Sequence, residues 1–441
     1  MNKKFFGSLG AVLTGATLTF GQTLPPVIEV IQAEPVKEAP AANEPAKKDA
    51  APKVDANPVV VTEAPVAYDD AAGSTRARFW AGAEYLLWWT KDSPLPVATA
   101  VSMPTPPFGG QIPAGSVVVQ GAQDLDLGQR HGGRFSLGAD LGSDGVFSAD
   151  ASYFFLASET VNEAVVSSGA AGTRYIGAPT FSTLAGGAPR IGPTAPFSIA
   201  TINGPGAPGA HSLHLESRLE GGELNAAWNV GGGNLRLGLL VGFRYFQLEE
   251  DLQLDRVGRV FLSVVPGPNI FFNVNSVRAY DRFENTNTFF GPQLGARVAF
   301  EGERLSLRAA VKVAIGEMSH STFITGQAFI PATSTTPFGG ATYAQPSNIG
   351  QYETDEFSVI PEVTINVGYN IGRFARLSVG YSYLYATNVL RPGNQIDPTI
   401  NPTRSAFPFI IPDTGPVRPT FTPVTSNFWA QGVNFGLEFR Y

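Results

Sequence analysis

The chain ends in NFWAQGVNFGLEFRY, residues 427–441, and this stretch decides the fold. Counting back from the terminus, Tyr441, Phe439, Leu437, Phe435, Val433 and Trp429 share one face of an extended strand. Arg440, Glu438, Gly436, Asn434 and Gly432 share the other. The two faces want opposite solvents. The strand is long, lacks Pro, and finishes on an aromatic whose carboxylate must sit in water. Apolar side chains toward lipid, polar ones toward a lumen and an aromatic at the interface form the pattern of a transmembrane β-strand. A soluble sandwich strand can alternate too, so the rest of the chain has to arbitrate.

Composition narrows the choice. Of 441 residues only 15% are charged, whereas Gly fills 49 positions and Pro 35, which suits a barrel. No run of about 18 apolar residues follows the first twenty or so, so no helical span is expected and a spanning chain has to close into a barrel. The net charge of −7 comes with no basic stripe, which argues against nucleic acid as a partner. With no Cys there are no disulfides, thiolate metal sites or thiol nucleophiles. At the start, MNKKFFGSLGAVLTGATLTFG sets Lys3 and Lys4 before a short apolar stretch, the form of a secretory signal over residues 1–21. Residues 22–77 then shift to Pro, Ala, Glu, Lys and Val, as in EPVKEAPAANEPAKKDAAPK, and read as a disordered or extended periplasmic linker.

From residue 78 onward, parity marks ten alternating segments. The first, 79–90, puts Phe79, Ala81, Ala83, Tyr85, Leu87 and Trp89 outward and Glu84 inward. The fifth, 235–245, is the plainest: Leu235, Leu237, Leu239, Val241, Phe243 and Tyr245 oppose Arg236, Gly238, Gly242 and Arg244, a split that helical periodicity cannot produce. The others are 134–141, 146–157, 212–230, 285–301, 305–318, 356–370, 376–388 and the terminal strand. In 212–230 the apolar parity changes at Gly221-Gly222, where a β-bulge is expected. Four tight turns alternate with five connections of roughly 30 to 55 residues, the asymmetry of short periplasmic turns and long extracellular loops. The expected fold is therefore all-β, a transmembrane antiparallel up-and-down β-barrel over residues 78–441. It has ten strands, or twelve if 251–282, with strand-like runs such as 260–265, adds a hairpin to the wall.

Aromatics and charges give an independent test. Trp80 and the Trp88-Trp89 pair bracket the first strand, roughly 20 Å apart along the membrane normal for a rise of about 3.3 Å per residue and a 45° tilt. Two girdles follow, with Trp80, Trp89, Trp228, Tyr383, Trp429 and Tyr441 as the expected interface residues and Tyr381 and Tyr385 beside Tyr383. By parity Glu84, Asp150, Glu223, Arg244, Arg308, Lys312, Glu362 and Arg376 line the lumen, joined by Glu438 and Arg440. Isolated buried charges are costly, so these should pair. A ten-strand barrel is narrow enough for side chains largely to fill it, whereas wide channels need about 16 strands. Paired charges inside a nearly closed barrel and a small-solute pore both stay open.

Three blocks carry a family resemblance: AEYLLWWTKDSPLP at 83–96, the run 348–397 from NIGQYETDEFSVIPEV to NVLRPGNQID, and FWAQGVNFGLEFRY at 428–441. GGRFSLG at 132–138 and LLVGFRYFQLEE at 239–250 match as well. Their order and spacing resemble the β-barrel porin family, the seventh of that label, of planctomycete-type outer membranes, from about residue 78 to the end. The resemblance implies an outer-membrane barrel with a porin role, and it offers no catalytic motif to carry over. The aromatic end is also similar to the assembly signal of such barrels, which implies the barrel assembly machinery and outer-membrane lipid as partners.

Catalytic chemistry finds little footing. The four His accompany neither a Gly-x-Ser-x-Gly elbow nor a His-Glu-x-x-His motif. His211 and His214, three apart on a strand, face opposite sides and do not suit one metal. Glycine clusters such as Gly231 to Gly233 lack a following Lys and helix and read as turns. No enzyme activity, metal or cofactor is expected. Passive passage of small polar solutes ranks first among functions, a structural or surface-display barrel whose long loops bind a partner second, and a barrel hydrolase third.

Overall fold

The computed structural model of the chain describes residues 79–441 except 106–111, 142–144, 184–189, 193–200, 203, 207, 261–273, 330–335 and 405–414. The expected signal and linker lie outside the described residues. Ten long strands build the wall: β1 (Phe79–Thr90), β2 (Gln129–Leu141), β3 (Phe147–Ser167), β4 (Gly209–Gly232), β5 (Leu235–Val260), β6 (Val274–Glu301), β7 (Leu305–Phe329), β8 (Gly350–Ile371), β9 (Ala375–Leu390) and β10 (Thr425–Arg440). Each pairs antiparallel with its sequence neighbours. The ring closes where β1 meets β10, from Trp80 opposite Arg440 to Thr90 opposite Ala430. Closure pairs the lower part of the wall all the way round, the condition for a β-structure in hydrocarbon. The hairpin ends of β5 and β6 pair with each other through Asp251 opposite Glu284 and beyond. Residues 251–260 and 274–282 therefore lengthen two strands, and the wall has ten long strands among the described residues.

Strand lengths depart from the parity reading. β3 to β8 run 21 to 28 residues. A strand of that length rises about 70–90 Å, which at 45° is roughly twice the apolar thickness of a membrane.

The reason is a swap of solvents along single strands. In β4 the inward positions near the loop end are Leu213, Leu215 and Leu219, with Ser212, His214, Glu216 and Arg218 outward. Toward the turn end Glu223, Asn225 and Asn229 point inward, and Leu224, Ala226, Trp228 and Val230 outward. No bulge separates the two stretches on the β5 side, where Gly221 opposes Phe246 and Gly222 opposes Tyr245 in continuous register. On the other side the register slips between Ser217 and Leu219, against Ala157 and Ser158 of β3. The apolar parity change at Gly221-Gly222 is thus a change of surroundings rather than of pleat, which corrects the bulge expected there.

Below the swap the outer surface is a continuous apolar belt, with Leu294 65% and Leu137 63% exposed among many. Above it, apolar side chains fill the inside in two layers. One is a belt of buried residues including Leu86, Trp88, Phe154, Leu219, Phe246, Phe289, Met318, Leu384 and Phe428. The other joins wall residues such as Leu213, Leu252 and Phe283 to Leu95, Leu125, Leu127, Tyr343 and Ile396 from the loops. The first long loop supplies a hairpin, Ser93–Met103 with Val117–Leu125, that packs into this upper layer.

Candidate functional site

All eight parity-assigned lumen charges project into the barrel. Four of them meet below the apolar belt. Glu223 lies opposite Arg244 on neighbouring strands, and Lys312 lies opposite Glu362 on another neighbouring pair. The two pairs also join across the lumen. Lys312 Nζ donates to Glu223 Oε1 at 2.6 Å and Oε2 at 2.8 Å, and Arg244 donates to Glu223 Oε2 at 2.7 Å and to Glu362. Gln293 completes the knot, accepting from Arg244 Nε at 3.0 Å and donating to Glu223 Oε2 at 3.0 Å. Two carboxylates against two cations, all with hydrogen bonds, is the arrangement in which burial of charge is tolerable. Glu84 binds Arg134 at 3.2 Å on the strand beside it, and the same guanidinium lies 3.8 Å from Glu362.

A second cluster sits nearer the turns. Arg308 contacts Glu301 at 2.9 Å and Glu438 at 2.8 Å, and Arg376 contacts the same two carboxylates. Arg440 donates to Glu438 at 2.7 Å. Across the lumen Asp150 accepts from Arg297 at 3.1 Å and from Asn225 at 3.0 Å. Parity on the predicted strands found Asp150, Arg308 and Arg376. It passed over Glu301, at the end of the predicted strand 285–301, and over Arg297 and Arg134, whose odd and even positions on β6 and β2 carried the signal.

These clusters line a cavity of about 390 Å³. Its mouth is ringed by Trp80, Asp140, Arg236, Glu301 and Arg440, the last inward residues before the turns. Its ceiling is the Glu223–Lys312 knot, and above that lies the apolar belt, to which every strand except β2 contributes. In place of an apolar residue β2 offers Arg130, fully buried, which donates to the backbone oxygens of Ala157 at 3.0 Å and Ser217 at 2.7 Å.

Higher still, buried polar groups tie the loops into the barrel. Asp281 pairs with Arg256 and accepts the backbone N–H groups of Thr342, Tyr343 and Ala344 at 3.0, 2.9 and 2.7 Å. The Arg256 guanidinium lies 5.1 Å from the Tyr343 ring centre, a cation–π contact. Tyr343 donates its hydroxyl to Ala98 and Pro179 oxygens of two other loops. Glu250 holds Arg391, both fully buried, and Asn287 binds the N–H and the carbonyl of Leu390 at 2.7 and 2.9 Å.

Of the expected interface aromatics, Trp89, Trp228, Tyr383 and Tyr441 are outward and exposed, and Trp429 is half-buried on the outer face. Trp89 and Tyr383 stand level, both registered on Gln431. Trp80 is the exception and corrects the expectation. As an even residue on β1 it points inward, and its ring lies over Gly138, where an added Cβ would fall 2.4 Å from the indole. The lack of a side chain at 138 is what lets the ring lie flat against the wall.

A closed ten-strand ring with an exposed apolar belt and a polar interior at the same level defines the class: a transmembrane β-barrel of an outer membrane. Residues 80–441 match the family described as "Putative beta barrel porin-7 (BBP7)", and the chain belongs to that family. No curated protein matches the chain. Among solved structures it is similar to the outer membrane protease OmpT from Escherichia coli, at 14% identity and a TM-score of 0.36, covering 83% of this chain and 98% of that one. The Ralstonia pickettii toluene transporter TbuX follows at 10% identity and 0.18, covering 82% and 89%. A Pseudomonas aeruginosa FadL homologue stands at 9% and 0.21, covering 83% and 90%. Likeness at this level transfers neither an activity nor a ligand.

Proposed function

We propose that the barrel works as a closed outer-membrane platform, presenting its extracellular half and loops to a partner, with no open path for solutes through the resting lumen. One observation carries the reading: the apolar belt from Leu86 and Trp88 around to Phe428 and Ala430, whose side chains have almost no solvent exposure. Water and ions cross such a layer only when its side chains part. The loop ties at Asp281, Glu250 and Asn287 add a second closure above it. The reading assigns no catalytic step, cofactor or metal. Lipid contacts the lower belt, with Trp89, Trp228, Tyr383, Trp429 and Tyr441 at its interfaces, and the assembly machinery inserts the chain.

Passive passage, the first expectation from sequence, is the second reading. The charged cavity beneath the belt favours it, because a vestibule of that kind would serve a pore whose plug moves. Planar-bilayer recording separates the two. The native protein should give no conductance steps, and a variant with Phe246→Ala, Phe289→Ala and Phe428→Ala should give them. Steady conductance from the native protein would overturn the platform reading. A shift toward cation selectivity on replacing Arg308 and Lys312 with Gln would then support passage through the charged cavity.

A further inference from the structure

The cavity on the turn side has a composition that selects for a particular kind of solute. Its lining holds six carboxylate side chains and six cationic ones, so its formal charge is balanced. A solute with net charge gains little from such a wall, whereas one carrying a separated positive and negative group can satisfy both signs at once. The cavity is not sealed by its own ion pairs: Arg308 and Arg297 keep 37% and 30% side-chain exposure. At about 390 Å³ it falls within the range of small-molecule sites.

One side of the mouth is more specific. Trp80 faces into the cavity between Arg440, its register partner on β10, and Gly138 on β2, with Asp140 the next inward residue toward the turn. An indole face in a chamber otherwise lined by charged, polar and small groups is a seat for a cation. Arg440 beside it keeps Nη2 without a hydrogen-bond partner, 3.8 Å from Glu301. Neighbouring side chains across a β-ladder stand about 5 Å apart, so the indole and the guanidinium can contact the two ends of one small zwitterion.

We infer that the turn-side cavity binds a small zwitterionic solute carrying an ammonium and a carboxylate. The ammonium lies over Trp80 toward Asp140, and the carboxylate meets Arg440 and Arg308. The site is reached from the turn side and holds whether or not the apolar belt above it ever parts.

Glycine betaine is a suitable probe, because its quaternary ammonium favours an aromatic face and its carboxylate an arginine. Titration of the full-length barrel in detergent, followed by calorimetry and Trp fluorescence, should give saturable binding. Sodium acetate and tetramethylammonium chloride, each carrying half of the probe, should bind about tenfold more weakly or worse. Trp80→Leu should lower betaine affinity about tenfold while Trp80→Phe retains most of it. Joint Arg308→Gln and Arg440→Gln substitution should weaken betaine and leave tetramethylammonium unaffected. Circular dichroism checks that each variant is folded; if Trp80→Leu does not fold, the Trp80→Phe and arginine variants decide. Absence of saturable betaine binding, equal binding by either half-probe, or unchanged binding in folded Trp80→Leu or in the arginine pair would overturn the assignment.

Discussion

Along β5 the outward side chains run Leu235, Leu237, Leu239, Val241, Phe243 and Tyr245, and then, in unbroken register, Gln247, Glu249, Asp251, Gln253 and Asp255. The inward ones run mostly the other way, from Arg236, Gly238, Leu240, Gly242 and Arg244 to Phe246, Leu248, Leu252 and Leu254, with the paired charges Glu250 and Arg256 among the latter. β7 makes the same exchange, with Ile315 the last of its apolar outward run and Glu317 and Ser319 following. One sheet thus serves two opposite partitions. The lower half is apolar outside and polar inside, as lipid requires; the upper half is polar outside and apolar inside, as water requires. The difference teaches that alternation fixes which residues share a face, and that the surroundings decide which face is apolar.

The two halves should answer differently to the same insults, and the largest effect should come from the interior of the upper one. Asp281→Ala removes the partner of buried Arg256 and the acceptor of three N–H groups, so it should cost about 3–5 kcal/mol of local stability. Hydrogen exchange should show residues 341–345 released while strand amides near the turns stay protected. Loss of protection over the whole barrel would show that the halves are not separable.

Next in size is a charge placed on the outer face at two heights of one strand. Val241→Lys puts an ammonium in the lower belt and should cost about 2–4 kcal/mol, against roughly 0.5 kcal/mol or less for Gln253→Lys above it. Urea unfolding of both variants from lipid vesicles checks the ratio, and similar costs would erase the contrast.

The smallest expected effect is a pH response confined to the upper half. His320, on β7 above the exchange point, is buried against Asn287, and burial holds its imidazole below the ordinary value while Asp355 pulls slightly the other way. A histidine whose folded pKa is depressed binds its proton more readily when unfolded. Stability is therefore unaffected well above the ordinary histidine range and falls as pH drops through it. Exchange of β6 and β7 amides around Asn287 and Thr322 should speed up between about pH 7 and about pH 5, and His320→Gln should flatten that slope. An equal slope in the variant would assign the response to other groups.

Much of the lower half was legible because lipid leaves a one-sided rule: every outward residue of β1, of the first part of β5 and of β10 from Val433 to Phe439 is apolar or aromatic, so strand, face and inward charges all follow from parity. Glu223, Arg244, Lys312 and Glu362 were placed inward in this way, although their meeting across the lumen depends on which distant strands face each other, and parity carries no such information. The upper half was misread for a physical reason. Where FQLEEDLQLDR follows Tyr245, alternation continues with its polarity reversed, and an outward-apolar rule takes the reversal for a strand end or a bulge. Trp80 failed differently, since its aromatic character was weighed above its even position. The apolar belt escaped notice because its residues, few on any one strand, lie at the handover between the two rules.

The exchange point can be read directly by site-directed spin labelling, which the chain accommodates without background removal because it contains no Cys. Single Cys substitutions at 235, 237, 239, 241, 243, 245, 247, 249, 251 and 253, labelled in lipid nanodiscs, would each report collision with oxygen, which concentrates in lipid, and with a water-soluble nickel chelate. The expected profile favours oxygen from 235 to 243, crosses over between 245 and 247, and favours the chelate from 249 onward. A profile that favours one reagent along the whole strand would contradict the account.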